Sequence, residues 1–190
     1  MGITSISLAR IHRHIKTTGK LLILGCQNLY DNEHYGEIAH PYFESLGFDV
    51  RSWDLLGCQG SETIDLRENL HLIPVYDFIY QHGTIEHIDG SLYQPLKNIH
   101  EASKVGYLMI HENPKKDNWP LHGQHYFTED FYTALAKACD YEILELTSEA
   151  SMSNYVDGWN VSVVLKKTTD NEFIDEQSFN EIYAKHIFSK

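Results

Sequence analysis

Several apolar, β-rich runs in this chain end in side chains that can hydrogen-bond, hold charge or move protons. Leu21 to Leu24 leads into Gly25-Cys26-Gln27-Asn28, and Phe48 to Trp53 leads into Asp54. A short run from Glu62 carries Asp65 and Leu66. Tyr76 to Tyr80 (YDFIY) is followed by Gln81, His82 and Gly83, and Val105 to Ile110 by His111, Glu112 and Asn113. In an open α/β sheet, ligands bind beyond the carboxyl ends of the strands, so these are the positions where a site is expected. The set is rich in donors and acceptors, as a nucleoside and an amino-acid tail require. Twelve histidines invite a metal reading, with His111, His122 and His125 near Glu112 as the candidate ligands. Zinc or iron needs three or four convergent ligands, and spacing alone does not supply convergence. We expect no metal there. His122 and His125, in a Pro- and Gly-rich stretch with Trp119 and Tyr126, read instead as the mouth of a substrate pocket, the two aromatics forming its apolar wall.

The elements that must position these residues follow from periodicity. Further strands are expected at Tyr141 to Leu146 and Trp159 to Leu165. Helical stretches lie between strands. Tyr35 to Leu46 is interrupted by Pro41, which kinks the helix or begins its firm part. Ser91 to Lys104 is apolar at Leu92, Leu96 and Ile99. In Thr128 to Cys139, Thr128 suits the N-cap, Glu129 and Asp130 suit the helix dipole, and Phe131, Leu135 and Ala138 share a face. Strand and helix alternate, which predicts a doubly wound α/β domain with a mostly parallel, seven-stranded, Rossmann-like sheet and helices on both faces. The last two strands have only the polar stretch Ser148 to Asp157 between them, so a C-terminal β-hairpin is expected. We divide the chain into a helical leader (1–19), the α/β domain (20–167) and a helical extension (168–190).

Charge narrows the partners. There are 27 acidic and 15 basic residues, a formal net charge of −12. Arg10, Arg13, Lys16 and Lys20 sit in the first 20 residues, which hold no acid. An acidic surface repels polyphosphate, so no nucleic-acid partner is expected. The basic leader reads as a solvated helix, or as one that touches an acidic patch. Apolar residues make up 42%, enough for one core, and no apolar run approaches the length of a membrane span. The three cysteines, Cys26, Cys58 and Cys139, form neither a disulfide framework nor a zinc-ribbon pattern, and a cytoplasmic location is the expectation.

From Lys20 to Lys167 the ordered motifs resemble those of the class I S-adenosylmethionine (SAM)-dependent methyltransferases. LLILGC resembles that family's first-strand motif, and SWD the end of its second strand. YDFIYQHGTIEHI resembles its fourth-strand motif. LYQPLKNIHEASKVGYLMI is similar to its next helix and strand, and HYFTEDFYTALAKACDYEILEL to its late helix–strand segment. The resemblance implies SAM as cofactor and methyl transfer to a small polar molecule. It implies a cofactor site of Gly25, Gln27, Asp54, Leu55, Asp65, Leu66 and Gln81. There Asp54 would accept hydrogen bonds from ribose hydroxyls, and Asp65 would either contact the adenine edge or cap a helix. His82 and His111 become candidate general bases for an O-methylation, or histidines that merely bond a loop. Glu86 and His87 read as structural. The chain departs from the family at the glycine motif G-x-G-x-G, of which only Gly25 remains. Gln27 and Leu29 occupy the other two glycine positions. A non-catalytic binding protein on the same fold is the alternative. A nicotinamide dehydrogenase is disfavoured, because Gly25-Cys26-Gln27 breaks G-x-G-x-x-G.

Overall fold

Leu21 to Leu24 is an unbroken apolar run because its strand is buried on both faces of a sheet. A computed structural model describes residues 2–150 and 158–189. Its strands are β1 (Gly2–Thr4), β2 (Lys20–Leu24), β3 (Asn28–Tyr30), β4 (Asp49–Asp54), β5 (Glu62–Thr63), β6 (Tyr76–His82), β7 (Ser103–Pro114), β8 (His125–Tyr126), β9 (Tyr141–Ala150), β10 (Trp159–Lys167) and β11 (Phe188–Ser189). The helices are α1 (Ser5–His14), α2 (Ala39–Ser45), α3 (Tyr93–Ala102), α4 (Glu129–Ala138) and α5 (Glu176–His186). Seven strands form one sheet in the order β5-β4-β2-β6-β7-β10-β9. The first five run parallel, and β10 is antiparallel to both β7 and β9. The doubly wound, mostly parallel sheet with a closing antiparallel hairpin is therefore present. The order reverses between β2 and β6, which opens a crevice at their carboxyl ends.

Each face of the sheet carries its own core. Leu22, Leu24, Ile79, Met109, Val163 and Leu165 pack with residues of α3, α4 and α5. Leu21, Ile23, Phe78, Tyr80, Ile110 and Val164 pack with residues of α1 and α2. Thr128 Oγ1 accepts from Phe131 N at 3.2 Å and caps α4 as the sequence suggests. Pro41 falls in the first turn of α2, where it has no helical N–H to forfeit.

Three differences from the sequence reading bear on function. First, β6 continues through Gln81 and His82, and β7 through His111 to Pro114, beyond the ends expected at Tyr80 and Ile110. These polar residues are strand residues, paired as Gln81↔His111 and His82↔Glu112, and β10 covers β7 on its other side. Second, the basic N-terminus is only partly solvated: Arg13, Lys16 and Lys20 are exposed, but Arg10 is buried against the acids Glu112, Glu145 and Glu149, the acidic-patch alternative of the two readings. Residues 2–4 pair with β3, and α1 buries Ser7, Leu8, Arg10 and Ile11. Third, β9 runs to Ala150, so Ser148 to Ala150, read as the start of a loop, are strand; residues 151–157 lie outside the described residues. In the tail, α5 docks on the domain through the buried Phe179. Among the described residues, no helix is long and apolar enough to cross a membrane.

Candidate functional site

A cleft of about 370 Å³ opens at the carboxyl ends of β2 and β4. Gly25, Gln27, Asp54, Leu55, Asp65 and Leu66 line it, together with Cys26, Trp53, Leu56, Ile64, Arg67, Thr84, His87, Ile88 and Asp89. Six of the seven residues assigned above to a cofactor thus meet in one place. Gln81 lies elsewhere, fully buried and bonded to Asn113 and His111.

Local chemistry sets the cleft's shape. Gly25 turns the chain out of β2 at φ +82°, and a Cβ there would come within 2.5 Å of Thr84 Oγ1, so only glycine fits. Asp54 is fixed by two backbone donors: Cys26 N gives to Oδ2 at 3.1 Å and Leu56 N to Oδ1 at 2.8 Å. A carboxylate has about four acceptor sites, so each oxygen retains capacity for a ligand hydroxyl. Asp65 caps a turn rather than a helix. It accepts from Arg67 N at 2.9 Å and takes the Arg67 guanidinium through both oxygens, and that side-chain pairing holds its carboxyl below the usual range. Asn98, fully buried on α3, donates to Leu66 O at 2.9 Å and Glu68 O at 2.8 Å and so holds the cleft's outer loop. Cys26 and Cys58 form a disulfide that ties the loops after β2 and β4 together, a pairing their spacing of 32 residues did not announce.

Gln27 bridges the crevice. Its Nε2 donates to Leu24 O at 3.0 Å and His82 O at 2.8 Å. Two carbonyl acceptors fix the amide's orientation, which leaves Oε1 buried without a hydrogen-bond partner.

No family model matches this chain, and no curated protein matches it in sequence. Solved structures do match in shape. A SAM-dependent methyltransferase from Methanosarcina mazei superposes with a TM-score of 0.62 over 90% of this chain and 100% of its own, at 11% identity. The 1,6-didemethyltoxoflavin-N1-methyltransferase of Burkholderia thailandensis, with its substrate and S-adenosylhomocysteine bound, gives 0.61 over 85% and 76% at 16% identity. The N-methyltransferase NodS of Bradyrhizobium japonicum, with S-adenosylhomocysteine, gives 0.56 over 87% and 89% at 14% identity. The fold is that of the SAM-dependent methyltransferases.

Beside the cleft, this methyltransferase fold carries a polar network on each face of β6 and β7. Under α1, His82 is 8% exposed, with Nδ1 3.2 Å from Glu112 and Nε2 3.2 Å from Asn160 Nδ2. Glu112 also accepts from Ser7 Oγ and Tyr80 and pairs with Arg10. Arg10, 2% exposed, further binds Glu145 at 2.9 Å, and Glu149 and Thr147. Its charge is stabilised: burial opposes it, but the surrounding carboxylates outweigh that and raise its pKa.

On the other face, Asn113 Oδ1 accepts from Gln81 and Tyr132, and Asn113 Nδ2 donates to Glu86 Oε2 at 3.2 Å. His111 lies here, 3% exposed, and burial pushes its pKa down to about 4. Neither His82 nor His111 lines the cleft. Both were expected just past strand ends, but the longer strands draw them into the sheet.

The histidines considered as a metal set are kept apart by their partners. His125 Nε2 donates to Ile88 O at 2.7 Å, and Nδ1 accepts from Tyr183 O–H at 2.6 Å. Tyr126 Oη accepts from His122 N at 3.1 Å, and Trp119 Nε1 donates to Trp159 O at 2.8 Å, so both brace the loop. His122 instead faces Glu86 and His87, a grouping of 36 residues' span that no local motif marks.

Proposed function

We propose that this chain transfers a methyl group from SAM to a small polar molecule. The observation that carries the proposal is the cleft itself, at the carboxyl ends of β2 and β4 of a methyltransferase fold with Asp54 fixed at its edge. The residues present fit the cofactor. Asp54 would take the ribose hydroxyls, and Leu55, Ile64, Leu66 and Ile88 offer apolar surface to a planar base. Gln27 fills one family glycine position, yet its unpartnered Oε1 would accept from the ammonium of the amino-acid tail. When bound, SAM supplies an electrophilic methyl on a sulfonium. The chain's own work is alignment of an acceptor against it and exclusion of water. We assign no base to His111, whose depressed pKa makes it a weak one, nor to His82, whose two ring nitrogens are engaged under α1. A small acceptor is supported by the compact acidic chain and by the small molecule held in the Burkholderia thailandensis enzyme.

Calorimetric titration with SAM and S-adenosylhomocysteine tests this. We expect micromolar binding, weakened by on the order of 1–3 kcal/mol in Asp54→Ala for the lost charge-assisted hydrogen bonds. Thermal melting of Asp54→Ala and Asp54→Asn checks that the loops tied by its backbone bonds still fold. A folded wild type that binds neither ligand up to millimolar concentration refutes the proposal.

A further inference from the structure

Glu86 is fully buried, yet only half of its carboxylate is used. Oε2 accepts from Asn113 at 3.2 Å, while Oε1 has no hydrogen-bond partner. An unpaired, buried anionic oxygen is costly and calls for a cation. Oε1 lies 3.5 Å from His87 Nε2 and 3.6 Å from His122 Nε2, and the three ligand atoms lie within 4.8 Å of one another. These separations exceed the roughly 2.7–3.2 Å of a good N–H···O bond. They match the edge of a tetrahedral shell: metal–ligand distances of about 2.0–2.2 Å place neighbouring ligand atoms about 3.4 Å apart.

We propose that Glu86, His87 and His122 bind a divalent transition metal of the zinc class, with the fourth coordination position open toward the cleft. His87 lines the cleft and is 40% exposed, which links the site to the cleft. The other ligands are held in place. Asn113, bonded to Gln81 and Tyr132, orients the Glu86 carboxylate as an outer-shell partner does in metal sites. The His122 loop is seated directly on Glu86: Gln124 N donates to Glu86 O at 2.7 Å, and a Cβ on Gly123 would come within 2.9 Å of Glu86. The Trp119 ring packs 4.9 Å from His122. Two imidazoles and one carboxylate suit Zn²⁺, Co²⁺ or Fe²⁺ rather than Mg²⁺. The open position would take a hydroxyl oxygen of the acceptor and favour its ionised form, the proton passing to solvent. That role rests on the proposed methyl transfer; metal binding does not.

The test uses the full-length, disulfide-intact chain, stripped with a chelator and titrated with Co²⁺ (visible absorption) and with Zn²⁺ (calorimetry). We expect one equivalent bound at micromolar affinity or tighter. His122→Ala should weaken it roughly 100-fold or more, with Glu86→Gln also weakened and His12→Ala, on the exposed face of α1, unchanged. Absence of binding by folded protein, or equal affinity in His122→Ala and Glu86→Gln, overturns the proposal. Metal bound by a chain that binds no SAM leaves this site standing and removes the methyl-transfer proposal.

Discussion

Arg10 should be the most sensitive charged residue outside the cleft. Its guanidinium is 2% exposed and meets Glu112, Glu145 and Glu149, three acids brought from β7 and β9 onto one cation. Glu145 and Glu149 retain 13% and 27% exposure, and Glu145 also has Arg13 and His14, so water and neighbours can take over for them. Glu112 is 2% exposed and would keep only the Ser7 and Tyr80 hydroxyls and His82. Arg10→Met preserves much of the aliphatic volume but strands the Glu112 charge, a loss of about 3–5 kcal/mol by analogy with broken buried ion pairs. That is a large share of a typical total stability of about 5–15 kcal/mol. The assay is urea unfolding followed by circular dichroism, with a double-mutant cycle through Glu112→Gln. The double variant Arg10→Met/Glu112→Gln should be more stable than Arg10→Met alone, because the stranded charge is gone. A loss below about 1 kcal/mol for Arg10→Met, or no recovery in the double variant, refutes the reasoning.

Acidification should unfold the protein before its carboxylates protonate. Burial pushes both His100 and His111 down from 6.5 to about 4, with Lys167 adding to the effect at His100. The unfolded chain therefore binds protons that the folded one refuses. This stability is full above about pH 6.5 and is lost as pH falls toward 4, by up to about 3 kcal/mol per group. A urea midpoint that stays flat from pH 7.5 to 4.5 would contradict this. Asn98→Ala should cost about 2–3 kcal/mol, since Leu66 O and Glu68 O lose their donor. It should also weaken SAM binding by loosening the cleft's outer loop, and a variant with wild-type stability and affinity would remove Asn98 from that role.

The sequence by itself determined the elements whose signal is local. The continuous run Leu21 to Leu24, ended by Gly25, reads as a doubly buried strand. Thr128 with two following acids marked the start of α4, and Gly25 and Asp54 stood where strands must end. Alternation of strand and helix was enough for the doubly wound sheet, because each pattern is set by neighbours a few residues away. Tertiary structure decided everything that depends on a partner far along the chain. Polar residues look like loop until a cross-strand partner satisfies them, so Gln81, His82 and His111 to Asn113 could not be seen as the ends of β6 and β7. A basic helix looks solvated until acids over 100 residues away enclose Arg10. Cys26 with Cys58, and Glu86 and His87 with His122, became groups only when the pairing of β2 with β4 and the loop after β7 brought them together. Spacing in sequence carries no trace of such contacts, because the energy that makes them is that of packing between layers.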